Sequence, residues 1–252
     1  MGLAASIRKE WMEQARTGRL IALAAVLIFF GLTSPLLARY TPEIVKMVPG
    51  GESISTIIPT PTMMDAVGQF IKNVDQFGVL LALILTMGMV VQEKERGTAA
   101  IMLTKPLQRP AFVLAKFTAL SLSFFACILV AALGSYYYTL VLFQAPDFFA
   151  WMLMELLVWL HIEVYVALVT LFSTLFRSQA AAAGLGFAII ILFALIGVAP
   201  AIARNLPDAL LVWAGSLFTP LPNPAWGALG VSLGIIVISL LLAVMIFQRQ
   251  EI

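Results

Sequence analysis

The sequence predicts an all-α membrane protein that crosses the bilayer six times. Three observations carry that prediction. The chain is 62% hydrophobic and only 11% charged, whereas a soluble domain is about 45–50% apolar and about 25% charged. Its apolar residues gather into six runs, most of them near the ~20 residues an α-helix needs to cross ~30 Å of hydrocarbon. Within each run the apolar character is continuous, where a membrane-spanning strand would alternate. The net charge of +2 leaves no basic face for nucleic acid. Cys127 is the single cysteine and lies in an apolar run, so it supports neither an intrachain disulfide nor a cysteine metal cluster and reads as a packing residue.

Taken in order, residues 1–19 form an amphipathic helix that lies in the membrane interface. Leu3, Ile7, Trp11 and Ala15 recur at i, i+4 spacing, and the charges of Arg8, Lys9, Glu10, Glu13, Arg16 and Arg19 lie mostly elsewhere around the helix. Trp11 suits the headgroup level. The apolar run that follows is too long for the core of a secretory signal. Spans are expected at Leu20–Ala38, Phe77–Val91, Phe117–Phe143, Trp151–Phe176, Ala180–Ala199 and Ala228–Phe247. The second is short and begins upstream, near Val67; the third is long enough to project from the bilayer.

The first two spans occupy residues 20–92 and enclose an outer loop, 39–76. That loop is rich in turn formers (Pro42, Pro49-Gly50-Gly51, Pro59-Thr60-Pro61) and contains a short helix over Met63–Asn73. A charged connection, 93–110, leads to spans three to five in 111–199. Residues 200–226 mix apolar residues with Pro207, Pro220, Pro222 and Pro224, a pattern too broken to span, which reads as re-entrant or interfacial helices. Residues 227–252 hold the sixth span and a short tail. The whole is one transmembrane domain. Trp151, Trp159, Trp213, Trp226 and the Tyr136–Tyr138 run read as interface anchors. Gly184, Gly186 and the Gly230/Gly234 pair read as sites where helices of one subunit approach closely.

Six spans put both termini on one side. Eleven of the 15 Lys and Arg residues lie on that side, and Arg39, Lys46, Lys72 and Arg204 lie on the other. The bias makes the side with the termini cytoplasmic. The charged connection lies there too. It runs Glu93-Lys94-Glu95-Arg96-Gly97-Thr98, then Ala99, Ala100, Ile101, Met102 and Leu103, then Thr104-Lys105-Pro106-Leu107-Gln108-Arg109. Thr98 can cap a helix, the next five residues form helix readily, and Pro106 ends it. The product is a stub of helix with an apolar face, flanked by charge.

This connection resembles the one between the second and third spans of permease subunits of type II ABC exporters: an acidic-basic-acidic start, Arg-Gly-Thr, a short apolar helix, and a Pro-Leu-x-Arg close. The resemblance implies that the stub is a cytoplasmic coupling helix docking on a separate ATPase. Glu93, Lys94, Glu95, Arg96, Gly97, Thr98, Ala100, Ile101, Met102, Leu103, Pro106 and Arg109 would form that contact. It implies two copies of the ATPase subunit, which would carry the ATP and magnesium, and a second permease half, identical or related. It also implies an inner, cytoplasmic membrane location with both termini cytoplasmic. An extracytoplasmic partner on the outer loops is compatible with this plan. The chain itself has no GxxxxGK[ST] phosphate loop, so ATP hydrolysis is expected in the partner, no cofactor or metal is expected here, and the chain reads as no enzyme.

Glu155, His161 and Glu163 fall in or near the fourth span, where ionisable groups are costly. Glu155, at the outer end, is expected to reach water, and Glu163 to be protonated, paired or facing a wet cavity. They serve either a transport path or a helix–helix contact. His161-Ile162-Glu163 lacks the second histidine of a zinc protease helix, and the spans show no paired aspartates. Two other readings stand beside the exporter: a proton-coupled secondary transporter or channel using Glu163, and a membrane anchor that transports nothing.

Overall fold

A computed structural model describes residues 3–49, 52, 59–95 and 109–250, and every regular element among them is an α-helix. These are α1 (Leu3–Arg16), α2 (Arg19–Lys46), α3 (Met63–Met87), α4 (Val91–Glu95) and α5 (Arg109–Leu142), then α6 (Phe148–Leu175), α7 (Gln179–Ile196), α8 (Pro200–Ala203), α9 (Ala209–Ser216) and α10 (Trp226–Arg249). Six stretches are long and apolar enough to cross a membrane: α2, α3 continued through Lys94, α5 from Pro110, α6, α7 and α10. The chain is therefore a multi-pass membrane protein.

Helix α6 is the mast of the bundle. It packs against α3, α5, α7, α9 and α10, and 67% of its most apolar window is buried, against 11% for α7 and 17% for α10. Helix α5, of 34 residues, is about 51 Å long at 1.5 Å per residue, so it overshoots a ~30 Å hydrocarbon slab. Helix α1 packs along α5 and turns into α2 at Gly18, whose φ of +74° suits a residue without Cβ.

The outer ends differ from expectation in two places. Helix α2 does not stop at Ala38 but runs to Lys46 with Pro35 and Pro42 inside it, so the outer loop is shorter and Pro42 is not a turn former. A hydroxyl residue precedes each proline and donates to the carbonyl four residues back: Ser34 to Phe30 at 2.5 Å and Thr41 to Leu37 at 2.6 Å. Each bond lands one residue before the carbonyl that the proline leaves without a donor, at Gly31 and Ala38, so it does not replace the lost bond. Helix α3 is one unbroken element from Met63. It absorbs both the expected short helix and the second span, and the Thr62 backbone N–H donates to Asp65 Oδ2 at 2.7 Å at its start.

The core also revises the aromatic anchors. Trp151 is fully buried, donates its indole N–H to the Ala132 carbonyl at 3.2 Å, and packs at 5.9 Å from Phe70 and 5.6 Å from Tyr136. Trp213 is buried as well and meets Trp226 at 5.0 Å. Trp151 is a core residue because Phe70, Tyr136 and Phe218 surround it, and Trp213 because α9 packs on α6 and α3. Cys127 lies buried in the same core.

Glycine packing is selective. A Cβ on Gly31 would stand 2.7 Å from the Ala131 Cβ, and one on Gly186 would collide with Leu83. Gly184, Gly230 and Gly234 would meet nothing within 4 Å, so the last pair makes no close helix contact within the subunit. Gly31→Ala is expected to force α2 from α5 and to cost about 1–3 kcal/mol. Gly68→Ala, at a helical site where a Cβ meets nothing, should be neutral or gain up to about 1 kcal/mol. Thermal unfolding of the purified chain in detergent separates the two.

Candidate functional site: a polar junction where the second span ends

The second span is interrupted at Gly88–Val90, and α6 seals the break. The Val90 and Val91 N–H groups donate to Ser173 Oγ at 3.0 and 3.3 Å, and Ser173 donates to the Met87 carbonyl at 3.0 Å. One hydroxyl thus replaces the helical hydrogen bonds lost at the turn. Helix α4 then leads toward the charged connection.

Each polar side chain described on α4 is fastened to a different part of the bundle. Gln92 accepts from Arg19 of α2 at 2.9 Å and donates to Gln179 of α7 at 3.2 Å. Glu93 accepts from Lys116 of α5 at 2.6 Å. Lys94 donates to the carbonyl of Thr174 on α6, and Gln250, just past α10, donates to that same carbonyl at 2.9 Å. Four spanning helices therefore hold a five-residue helix.

Lys116 is the centre of the junction. Its ammonium lies 2.6 Å from Glu93 Oε1 and 2.9 Å from Glu10 Oε2, with 4% of its side chain exposed. It also sits 5.1 Å from the centroid of the Phe112 ring, a cation–π contact. Phe112 in turn stacks on Phe247 of α10 at 5.0 Å, within a small apolar cluster with Val90, Val113 and Ala243. Lys9 adds contacts to Glu10 at 2.9 Å and Glu13 at 3.3 Å. Burial alone would raise the Glu10 carboxyl, but Lys116 and Lys9 outweigh it and hold the group below its ordinary value. Lys9 is likewise held above its ordinary value, because Glu10, Glu93 and Glu13 together overcome the opposing effect of its burial. Glu10, Glu13 and Glu93 lie close enough to share a cation. The two ammonium groups already stand among them, so the cluster is an ion-pair knot.

Of the residues expected to contact an ATPase, Arg96, Gly97, Thr98, Ala100, Ile101, Met102, Leu103 and Pro106 lie outside the described residues, as do the side chains of Glu95 and Arg109. The two described side chains, Glu93 and Lys94, do not point into solvent but are engaged with the bundle. Sequence reasoning missed Lys116, Glu10, Ser173 and Gln179 because they come from four other helices. A lone lysine just before the third span was the available signal.

The intramembrane groups divide between two faces of α6. Glu155, Trp159 and Glu163 follow one another at four-residue spacing and share a face. His161, two residues from Glu163, lies about 160° round the helix. Glu155 is buried, and its carboxylate oxygens find no hydrogen-bond partner among the described residues, so it does not reach water: α6 is covered even near its outer end. Glu163 is buried too, near Ser121 of α5 and Trp159, and its carboxyl oxygens likewise make no hydrogen bond among the described residues. His161 Nε2 lies 3.1 Å from Asp75 Oδ1 and 3.8 Å from Asp208 Oδ1.

Asp75 lies within a spanning helix and not in an outer loop. Lys72, Asn73 and Asp75 lower the hydropathy enough to suggest an outer loop, yet they belong to α3. Lys72 is exposed, whereas the other two turn inward, Asn73 donating to Ser34 Oγ at 3.0 Å and Asp75 Oδ1 lying 3.1 Å from His161 Nε2. Asp208 also lines an outer cavity of about 590 Å³ with Arg204, Asn205, Asn223 and Trp226.

The chain matches the family described as "ABC-2 family transporter protein" over residues 4–210. It is also 31% identical over 212 residues to an uncharacterized transmembrane protein of Bacillus subtilis (strain 168), YxlG, covering 81% of this chain and 80% of that one.

Two variants test the site. Lys116→Met leaves two buried carboxylates facing each other and should cost about 3–5 kcal/mol, whereas Glu10→Gln keeps the Lys116–Glu93 pair and should cost far less; thermal unfolding in detergent reads both. Because Glu10 is held low, its contribution is present above the ordinary carboxylate pKa and is lost as pH falls through the lowered value. The acid limb of a stability–pH curve should accordingly flatten in Glu10→Gln. Separately, His161→Ala should destabilise by about 3 kcal/mol by stranding Asp75, and adding Asp75→Ala should recover part of the loss in a double-mutant cycle.

Proposed function

The chain belongs to the ABC-2 family of transporter proteins, and on that premise we propose that it is the membrane-spanning permease subunit of an ATP-driven exporter. A separate ABC ATPase, present in two copies and carrying the ATP and magnesium, docks on the segment after Glu95 from the cytoplasm. A second permease half, the same chain or a related one, completes the path, and the assembly moves its substrate outward by alternating access. The inner membrane, with both termini cytoplasmic, is the location this requires. The chain itself hydrolyses nothing.

One observation supports this best: α4 is pinned by Gln92, Glu93 and Lys94 to α2, α5, α6 and α7. A solvated loop needs no such fastening. A lever does, because a push on the segment beyond Glu95 would otherwise be absorbed by bending at the Gly88 turn. With the bonds in place the push reaches α5 and α6 as a rigid displacement. It shifts populations only as far as the ATPase's differential binding of nucleotide allows.

A second reading has its own support. Glu163 is buried beside Ser121 and Trp159, as a carboxyl that carries protons would be. It makes the chain a secondary transporter or channel driven by a proton gradient.

Reconstitution distinguishes the two. With the co-purifying ATPase in proteoliposomes, a charge placed at Ala100 or Met102 (Ala100→Asp, Met102→Asp) should leave basal ATP hydrolysis intact and abolish its coupling to transport. Glu93→Ala should lower coupling in the same direction by releasing α4. Transport that survives in these variants counts against the exporter reading. Transport without any ATPase, driven by a pH gradient and lost in Glu163→Gln, would establish the alternative.

A further inference from the structure

Helix α1 does not close against α5 along its whole length. Between them lies a groove of about 470 Å³, walled by Ala4, Ile7 and Trp11 on one side and Leu122, Phe125 and Ala126 on the other. That volume falls within the ~300–1,000 Å³ of sites that enclose small molecules. Trp11 is 49% and Leu122 52% exposed; in a membrane protein, apolar side chains left open in this way face lipid. Arg8 is the one charged residue lining the groove. Its guanidinium has no hydrogen bond or ion pair among the described residues, whereas its neighbour Lys9 is engaged by Glu10 and Glu13. An unengaged guanidinium over an apolar slot is complementary to a ligand with an anionic phosphate at one end and a hydrocarbon chain at the other.

We propose that the α1–α5 groove is a binding site for one anionic phospholipid of the leaflet in which α1 lies, its acyl chain between Trp11 and Phe125 and its phosphate on Arg8. The inference needs only the multi-pass character of the chain and is independent of the coupling reading. Its consequence reaches both polar sites. Phe125 packs edge-to-face on Trp159 at 5.4 Å, and Trp159 adjoins Glu163. Helix α1 also carries Glu10 into the Lys116 knot and Gln14 to Ser123, which donates to it at 2.8 Å. A lipid wedged in the groove therefore sets the stance of α1 and, with it, the knot that holds α4.

The test is native mass spectrometry of the full chain released from detergent doped with equal phosphatidylglycerol and phosphatidylcholine. One phosphatidylglycerol should be retained per chain under activation that strips phosphatidylcholine. Arg8→Gln should lower that retention about fivefold, the share one basic residue contributes at an anionic surface. Ala126→Trp and, independently, Leu122→Trp should fill the groove and abolish it; both positions are exposed, so the fold tolerates them. Arg16→Gln, on the same helix but away from the groove, should change nothing. Equal retention of the two lipids, an Arg16→Gln loss as large as that of Arg8→Gln, or retention untouched by both tryptophan variants would overturn the site.

Discussion

A buried ammonium between two carboxylates organises the lower half of this molecule. Lys116 is nearly inaccessible and is met by Glu10 from α1 and Glu93 from α4. In an apolar bundle a lone charge at that position would be prohibitive, and the ammonium is tolerable only because two carboxylates meet it directly. That requirement propagates. Glu10 must be delivered by an N-terminal helix lying along α5, and Glu93 by a helix that turns off the second span at Gly88. The turn in turn needs Ser173 to satisfy its N–H groups. Helices α1, α4, α5 and α6 are thus fixed relative to one another by a handful of polar atoms, while the aromatic core around Trp151 fixes the outer half.

Helix α6 reconciles these two halves. It is apolar enough to span, yet it holds three buried ionisable groups. They are split between a carboxylate face toward α5 and a histidine face toward α3 and the start of α9. Such groups cost little only where a partner is in reach. His161 has its aspartates. Neither Glu155 nor Glu163 makes a hydrogen bond through its carboxyl oxygens among the described residues, which marks the face of α6 that they share as the least settled part of the core.

The all-α fold and the six spans were legible from composition and run length, because hydrocarbon imposes a continuous apolar pattern that needs no tertiary information. Boundaries failed where that pattern is interrupted for tertiary reasons. Asn73 and Asp75 look like loop residues until Ser34 and His161 are seen opposite them. Pro42 looks like a turn until α2 is seen to run through it to Lys46. Trp151 looks like an interface anchor until Phe70, Tyr136 and Phe218 are found around it. The same limit applies to the site. Glu93 and Lys94 stood out because charge is scarce in this chain, but their partners, Lys116 and the Thr174 carbonyl, lie 23 and 80 residues away. Nothing in a linear reading links a lysine at the start of α5 to a glutamate on the N-terminal helix.

That separation bears on how the chain is made. Glu10 and Gln14 leave the ribosome first, but their partners Lys116 and Ser123 follow 106 and 109 residues later. Until the third hydrophobic segment has been inserted, the amphipathic N-terminus can only rest on the bilayer surface. The knot is therefore a late event in biogenesis, closing only once α5 is in the membrane. An intermediate arrested before that point would carry two spans and an undocked leading helix, and quality-control proteases would meet it in that form.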